Sequence, residues 1–139
     1  MDFLKSSILK EWLDKKYLKL INIEKSQKKY TQAPFSHIEF KDFFKKAKIN
    51  EVYSALIQEE FYDKESDLFK FMQTSDLMQT NNQILKEFSG VLSSKPFTQF
   101  IEFITQNQLK AHKIDLFGSL YQNTDFLICH DDRLEGRKV

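Results

Sequence analysis

The chain has 139 residues, 41% of them hydrophobic and 14% aromatic, which is enough apolar material for one domain with a packed core. Its formal net charge of +1 excludes a whole-chain attraction to nucleic acid or acidic lipid, so neither partner has a strong signal. The single cysteine excludes an internal disulfide and favours a reducing compartment, the cytosol or the nucleus. No apolar run has the length of a secretory signal or a membrane span.

An amphipathic helix is predicted at the start of the chain. Apolar residues recur near every fourth position from Asp2 to about Ile23, and this helix is expected to pack against the domain that follows. The polar, lysine-containing residues 23–33 indicate a linker, because Pro34 opposes helix at the preceding residue. The chain is accordingly divided into an N-terminal helix with linker and a domain proper, residues 1–32 and 33–139.

Three further helices are predicted from periodicity and from capping residues. Two have apolar stripes at helical spacing, and the third has a serine two residues before a proline as its start signal. They are residues 50–60 with Asn50 as the cap, residues 82–92, and a helix that begins at Ser94 ahead of Pro96. The stripe of the first, from Ile49 to Ile57, is expected in the core. Residues 35–40 have the composition of a strand, and periodicity alone predicts a mixed α+β domain.

His130 and Asp132 are the candidate metal ligands. They lie two apart at the end of the predicted strand 125–129, so their side chains can point to the same side. An imidazole nitrogen and a carboxylate oxygen then converge, which is two-thirds of the triad of two histidines and one carboxylate that holds Fe(II). The spacing alone is weak, because a chain with 20 acidic residues produces His-x-Asp by chance. His37 is expected to be a surface or hydrogen-bonded residue, and His112 is expected at the surface.

Two segments of the chain are similar in sequence to one known enzyme family. Residues 127–139 read Leu-Ile-Cys-His-Asp-Asp-Arg-Leu-Glu-Gly-Arg-Lys-Val, and residues 67–77 read Asp-Leu-Phe-Lys-Phe-Met-Gln-Thr-Ser-Asp-Leu. Both resemble segments of the Fe(II)/2-oxoglutarate-dependent prolyl hydroxylases that modify a small-subunit ribosomal protein. The resemblance spans roughly residues 33–139 and implies a strand at residues 67–73.

This resemblance implies a fold and a set of site residues. The expected fold is the N-terminal part of a double-stranded β-helix, or jelly-roll, oxygenase domain with flanking helices. His130 and Asp132 are then expected to ligate Fe(II), and 2-oxoglutarate is the expected cosubstrate, with a need for L-ascorbate left open. The expected partner is a ribosomal protein of the small subunit, one of whose prolyl residues is hydroxylated in a reaction linked to translation control.

Tyr121 is the expected cosubstrate-binding residue. It precedes His130 by nine residues, the offset at which the resembled family carries a tyrosine whose hydroxyl binds the 2-oxoglutarate carboxylate. Nine is odd, so regular alternation places the two side chains on opposite faces. Their cooperation requires a bulge or bend between them, which Asn123 and Thr124 can supply, or a separate strand. The alternative is a tyrosine that simply packs against the sheet.

The resemblance also implies that the domain is incomplete. Residues 33–139 are expected to be a partial oxygenase domain that stops before the third metal ligand and before the arginine that binds the cosubstrate, a role that Arg137 does not match. Asp131, between the two ligands, is expected to face away from the metal. By this reading the chain alone is inactive. The alternative function is a catalytically inactive fragment that acts as a protein-binding module.

Overall fold

The protein combines helices with one antiparallel sheet in a computed structural model that describes residues 2–31, 33, 36–109 and 114–128. The α-helices are α1 (Ser7–Trp12), α2 (Leu20–Gln27), α3 (Lys46–Leu56), α4 (Gln83–Leu92) and α5 (Lys95–Thr105). The strands are β1 (Phe61–Ser66), β2 (Phe69–Thr74), β3 (Ser119–Leu120) and β4 (Phe126–Leu127). Short 3-10 helices cover Asp2–Lys5, Lys15–Leu18 and Leu77–Gln79. The predicted α+β class is confirmed.

The N-terminal helix is interrupted at Leu13, so the prediction of one continuous helix over residues 2–23 is wrong. The Trp12 carbonyl accepts a hydrogen bond from the Lys45 amide at 2.8 Å, and the Asp14 amide donates to the Phe43 carbonyl at 2.9 Å. These bonds hold the backbone extended at Leu13, which forms an antiparallel bridge with a distant segment. A pairing between residues some thirty positions apart therefore ends α1.

The interrupted N-terminal segment packs on α5, which confirms the role predicted for it. The ring of Phe3 meets that of Phe100 edge to face at 6.2 Å, and both Leu9 and Phe100 are completely buried. The division at residue 33 stays a prediction. The buried members of this first core cluster are Phe3, Leu9, Leu13, Tyr17, Ile23, Phe100 and Ile104.

Helices α4 and α5 begin where the sequence predicts. The Asn82 side chain accepts hydrogen bonds from the amides of Ile84 and Leu85, at 3.1 and 3.3 Å. Ser94 caps α5 by accepting from the Phe97 amide at 3.3 Å, with a proline in the first turn. These contacts satisfy amides that have no partner within the helix. The second core cluster lies against α4 and consists of Trp12, Val52, Leu77, Leu85 and Val91.

Helix α3 begins earlier than predicted and buries less of its apolar stripe. It starts at Lys46, so Asn50 lies inside the helix and the prediction that Asn50 caps it is wrong. Val52 is 9% exposed and Leu56 is half-buried, which confirms the core role for these two. The other three members of the stripe are exposed and contradict it, namely Ile49, Tyr53 and Ile57.

The sheet is built on a β1–β2 hairpin. Phe61 pairs with Thr74 and Ser66 with Phe69, which leaves a two-residue turn between the strands. The prediction of a strand from residue 67 thus locates β2 within two residues, whereas β1 was not predicted. A strand at residues 35–40 is wrong for the described part of that range, which contains only a single bridge at His37. β3 and β4 both pair with the other edge of β2.

Candidate functional site

Of the predicted site residues, Tyr121 lies within the described part of the chain. It directly follows β3 on the β2 edge of the sheet. The predicted metal ligands His130 and Asp132 lie outside the described residues, as do His112 and residues 129–139 in general. Their assignment therefore stays a prediction, and the geometry of the site is given by the sheet that leads up to them.

The two segments that carry the family resemblance are neighbours in the sheet. Leu127 in β4 pairs with Phe69 in β2, and the Ile128 amide donates to the Leu68 carbonyl at 2.8 Å. The segment at residues 67–77 thus forms the hairpin turn and strand against which the start of the last segment lies. Antiparallel pairing thus brings together two segments that are far apart in the sequence.

The Tyr121 ring lies against Phe71 in the centre of β2. The two ring centroids are 5.1 Å apart with an interplanar angle of 22°, which is a stacked arrangement, and Phe71 also contacts Phe69 at 5.4 Å. The Tyr121 side chain is nevertheless 47% exposed. The alternative role predicted for Tyr121, a tyrosine that packs against the sheet, is therefore seen, and nearly half of the residue stays exposed.

A turn separates Tyr121 from β4, as the sequence predicts. The Gln122 amide donates to the Asp125 carboxylate at 2.7 Å, the Asp125 amide donates back to the Gln122 carbonyl at 3.1 Å, and Thr124 has a φ of 80°. A non-glycine residue at positive φ is uncommon and marks a tight change of chain direction.

This turn is an insertion of four residues in the pairing with β2. Leu120 pairs with Met72 and Phe126 with Lys70, so β2 advances by two residues while its partner advances by six. Four is even, and side chains alternate with a period of two, so the insertion keeps Tyr121 on the face that carries Phe71 and, beyond the turn, Leu127. The bend that the sequence allows at Asn123 and Thr124 is present and separates β3 from β4, but within the described residues it does not move Tyr121 to the other face.

Gly118 allows β3 to approach the rest of the molecule closely. Its amide donates to the Thr74 hydroxyl at 2.9 Å, and its carbonyl accepts from the Thr74 amide at 2.9 Å. A Cβ atom at this position would lie 2.5 Å from the Cδ1 atom of Leu56 in α3. Glycine thus permits a contact that fixes the strand three residues before Tyr121.

Two phenols on the same face of the sheet differ in their hydrogen bonding. Tyr62 pairs with Gln73 across the hairpin and donates its hydroxyl to the Glu60 carboxylate at 2.7 Å. This hydrogen bond raises the pKa of Tyr62 above its usual value. Among the residues that the structure describes, the Tyr121 hydroxyl has no hydrogen-bond partner, so it can accept or donate to a ligand.

No group of three or more histidine, cysteine, aspartate or glutamate residues converges on one point in the described ranges. His37 is exposed, as predicted from the sequence. Its backbone exchanges two hydrogen bonds with Thr31 at 2.8 and 3.0 Å. The sheet therefore presents a tyrosine hydroxyl and aromatic rings, and a metal there would need ligands from residues beyond these ranges.

Comparison with known proteins identifies similar chains. The chain is 33% identical over 107 residues to the prolyl 3-hydroxylase OGFOD1 of Xenopus laevis and 29% identical over 107 residues to that of Mus musculus. It is 28% identical over 118 residues to the prolyl 3,4-dihydroxylase OGFOD1 of Ostreococcus tauri. Each match covers 76% of this chain but only 19–23% of the relative, so the chain spans about a fifth of their length. No family model matches the sequence.

Proposed function

Because the chain belongs to the prolyl hydroxylase family, we propose that it takes part in the Fe(II)- and 2-oxoglutarate-dependent hydroxylation of a prolyl residue in a protein of the small ribosomal subunit. The observation that carries the proposal is the 33% identity to a prolyl 3-hydroxylase over 107 residues. The metal, the cosubstrate and the ribosomal target rest on the resemblance of residues 127–139. The same resemblance supports a link to translation control, and the single cysteine supports a cytoplasmic or nuclear location.

In this proposal His130 and Asp132 hold the iron. A neutral imidazole and a carboxylate are donors that suit Fe(II), so the donor set fits the metal chemically. When bound, iron and 2-oxoglutarate supply the oxidising chemistry that puts a hydroxyl group on the proline ring. In the resembled family the third ligand is a second histidine further along the sequence, a position that His37 and His112 do not match.

In the same proposal Tyr121 binds a carboxylate of 2-oxoglutarate. Because Tyr121 and Leu127 lie on the same face of the sheet, this role requires a departure from regular alternation between Leu127 and His130. The residue is 47% exposed and its hydroxyl has no protein partner among the described residues, and a hydrogen bond to a charged carboxylate is among the stronger ones. The distal carboxylate requires in addition a basic residue, for which the resembled family uses an arginine further along its sequence. L-ascorbate would serve to keep the iron reduced.

The sheet would be the opening part of a jelly-roll. Support comes from its exposed apolar residues, which further sheet would cover. The exposed apolar residues of the hairpin and of the β3–β4 region are Tyr62, Leu68, Phe117, Leu120, Tyr121, Phe126, Leu127 and Ile128.

The experiment uses the full-length product of the gene, Fe(II), 2-oxoglutarate and peptides from small-subunit ribosomal proteins. We expect succinate release and one added oxygen atom on a prolyl residue, measured by mass spectrometry. The variants His130→Ala and Asp132→Ala are expected to abolish both, whereas Asp131→Ala, the matched control, is expected to retain them. Absence of succinate and of hydroxylated peptide with the unmodified protein would contradict the proposal.

A protein-binding module is the second candidate, and the exposed face of α3 favours it. Ile49, Tyr53 and Ile57 recur at every fourth position and are 37%, 64% and 53% exposed, which is the pattern of a helix face that docks to a partner. This function requires the 139-residue chain to unfold cooperatively when purified alone. An aggregated chain, or one without a cooperative transition in urea, would count against it.

A further inference from the structure

Tyr121 is held by its ring contact more than by its backbone. The regular β2–β3 pairing ends at Leu120, and the chain leaves the sheet in the turn that begins at Gln122. Nearly half of the Tyr121 side chain is exposed. The stack on Phe71, at 5.1 Å and 22°, is therefore the contact that limits the orientations of the phenol ring.

Phe71 is itself firmly placed. It lies in the middle of β2, pairs with Lys64 of β1 on one side, and contacts the Phe69 ring at 5.4 Å along its own strand. Its side chain is half-buried, whereas that of Tyr121 is exposed. The Phe71 ring is thus the more firmly held of the two, and the Tyr121 ring that stacks on it is the more accessible.

We infer that Phe71 is a positioning residue that holds the Tyr121 hydroxyl ready to bind a carboxylate of 2-oxoglutarate, an inference that rests on the proposed function. A side chain that is ordered before the ligand arrives loses less conformational entropy on binding. Removal of the Phe71 ring frees Tyr121 and weakens 2-oxoglutarate binding by about two- to tenfold, the range expected for one aromatic stack. Phe71 need not contact the cosubstrate for this effect.

The test measures 2-oxoglutarate affinity by calorimetry without turnover. The full-length gene product is loaded with Mn(II) in the absence of dioxygen and titrated with 2-oxoglutarate. Phe71→Leu is expected to weaken binding by about two- to tenfold, and Phe71→Tyr, which keeps a ring for stacking, is expected to bind within about twofold of the unmodified protein. Phe69→Leu is the matched control, because this neighbouring ring contacts Phe71 and is expected to have the smaller effect.

A double-mutant cycle separates positioning from a merely structural role. Tyr121→Phe keeps the ring but removes the hydroxyl, so Phe71→Leu is expected to add little further loss in that background. Equal losses from Phe71→Leu with and without the hydroxyl would overturn the inference. A loss of affinity in Phe71→Tyr would overturn it too, even if Phe71→Leu did not fold.

The two claims fail in different ways. If the unmodified protein binds 2-oxoglutarate and Phe71→Leu binds it equally well, the inference is wrong and the proposed function stands. If the unmodified protein does not bind 2-oxoglutarate, the proposed function is wrong and the inference falls with it.

Discussion

Phe100 in α5 is completely buried, whereas Phe126 in β4 is 42% exposed, although both are phenylalanines in regular structure. The first core cluster buries Phe3, Tyr17 and Phe100 in the helical region, whereas Tyr62, Tyr121 and Phe126 in the sheet region are exposed. The helical region can thus derive its stability from its own packing. The sheet depends on main-chain pairing and on a few ring contacts. We therefore expect substitutions in the helical region to affect mainly stability, and substitutions in the sheet to affect mainly binding.

The largest expected effect tests this difference directly. Phe100→Ala opens a cavity in the helical core and is expected to lower the free energy of unfolding by about 3–5 kcal/mol. Phe126→Ala, the matched change in the sheet, is expected to cost about 1 kcal/mol or less because the ring is already partly in water. Urea unfolding measures both, and equal losses would show that the sheet is as well covered as the helical core.

The next effect concerns the junction between the two regions. Gly118→Ala places a Cβ atom 2.5 Å from Leu56 Cδ1 in α3 and is expected to cost about 1–3 kcal/mol through overpacking. Gly90→Ala in α4 meets nothing within 4 Å and is expected to stabilise by about 0.5–1 kcal/mol, since alanine is the better helix former. Thermal unfolding of the two variants should therefore shift in opposite directions. A stabilising Gly118→Ala would refute the close approach.

A smaller effect is expected at the start of α4. Asn82→Ala removes the cap of two backbone amides and is expected to lower stability by about 1 kcal/mol. Asn81→Ala, at the exposed neighbouring position, is the control and is expected to change stability little. Unfolding in urea compares them, and indistinguishable midpoints would mean that the cap contributes nothing.

The smallest effect appears only at alkaline pH. Burial raises the pKa of Tyr17 in the helical core, so the folded protein keeps this proton at a pH where the unfolded chain loses it. Its contribution to stability is full below the pKa of an unfolded tyrosine, about 10, and is lost as pH rises through the raised value. Tyr17→Phe is expected to flatten the fall of stability above pH 10, measured by urea unfolding at several pH values. A slope unaffected by Tyr17→Phe would contradict the prediction.

Local signals predicted α4 and α5 well. Asn82 and Ser94 act on amides two or three residues away, so the information that starts each helix lies within one turn of sequence. The break at Leu13 was missed because it depends on hydrogen bonds to residues 43–45, which no window of local sequence contains. Asp14, which caps the following short helix through the Lys16 amide, was the one local sign of it.

The sheet was only partly predictable for a different reason. β1 carries four exposed charged or hydroxyl-bearing residues in a row after Tyr62, and such an edge strand lacks the alternation that identifies strands facing a core. Tyr121 is predicted as a site residue because its offset from His130 matches the resembled family, and this role stays a prediction, whereas the bend after it is indicated by Asn123 and Thr124. Its partner Phe71 could not be found in the same way, because the pairing of the two depends on the strand register.

The length of the turn at residues 122–125 determines which face of the sheet the later side chains of this edge occupy. It inserts four residues, and the strand that follows resumes in phase with the strand before it. A version shortened or lengthened by two residues would keep every later side chain on its present side. A change by one residue would exchange the two sides for the whole of the following strand, so this turn can vary in length only by even steps if the segment after it is to keep its orientation.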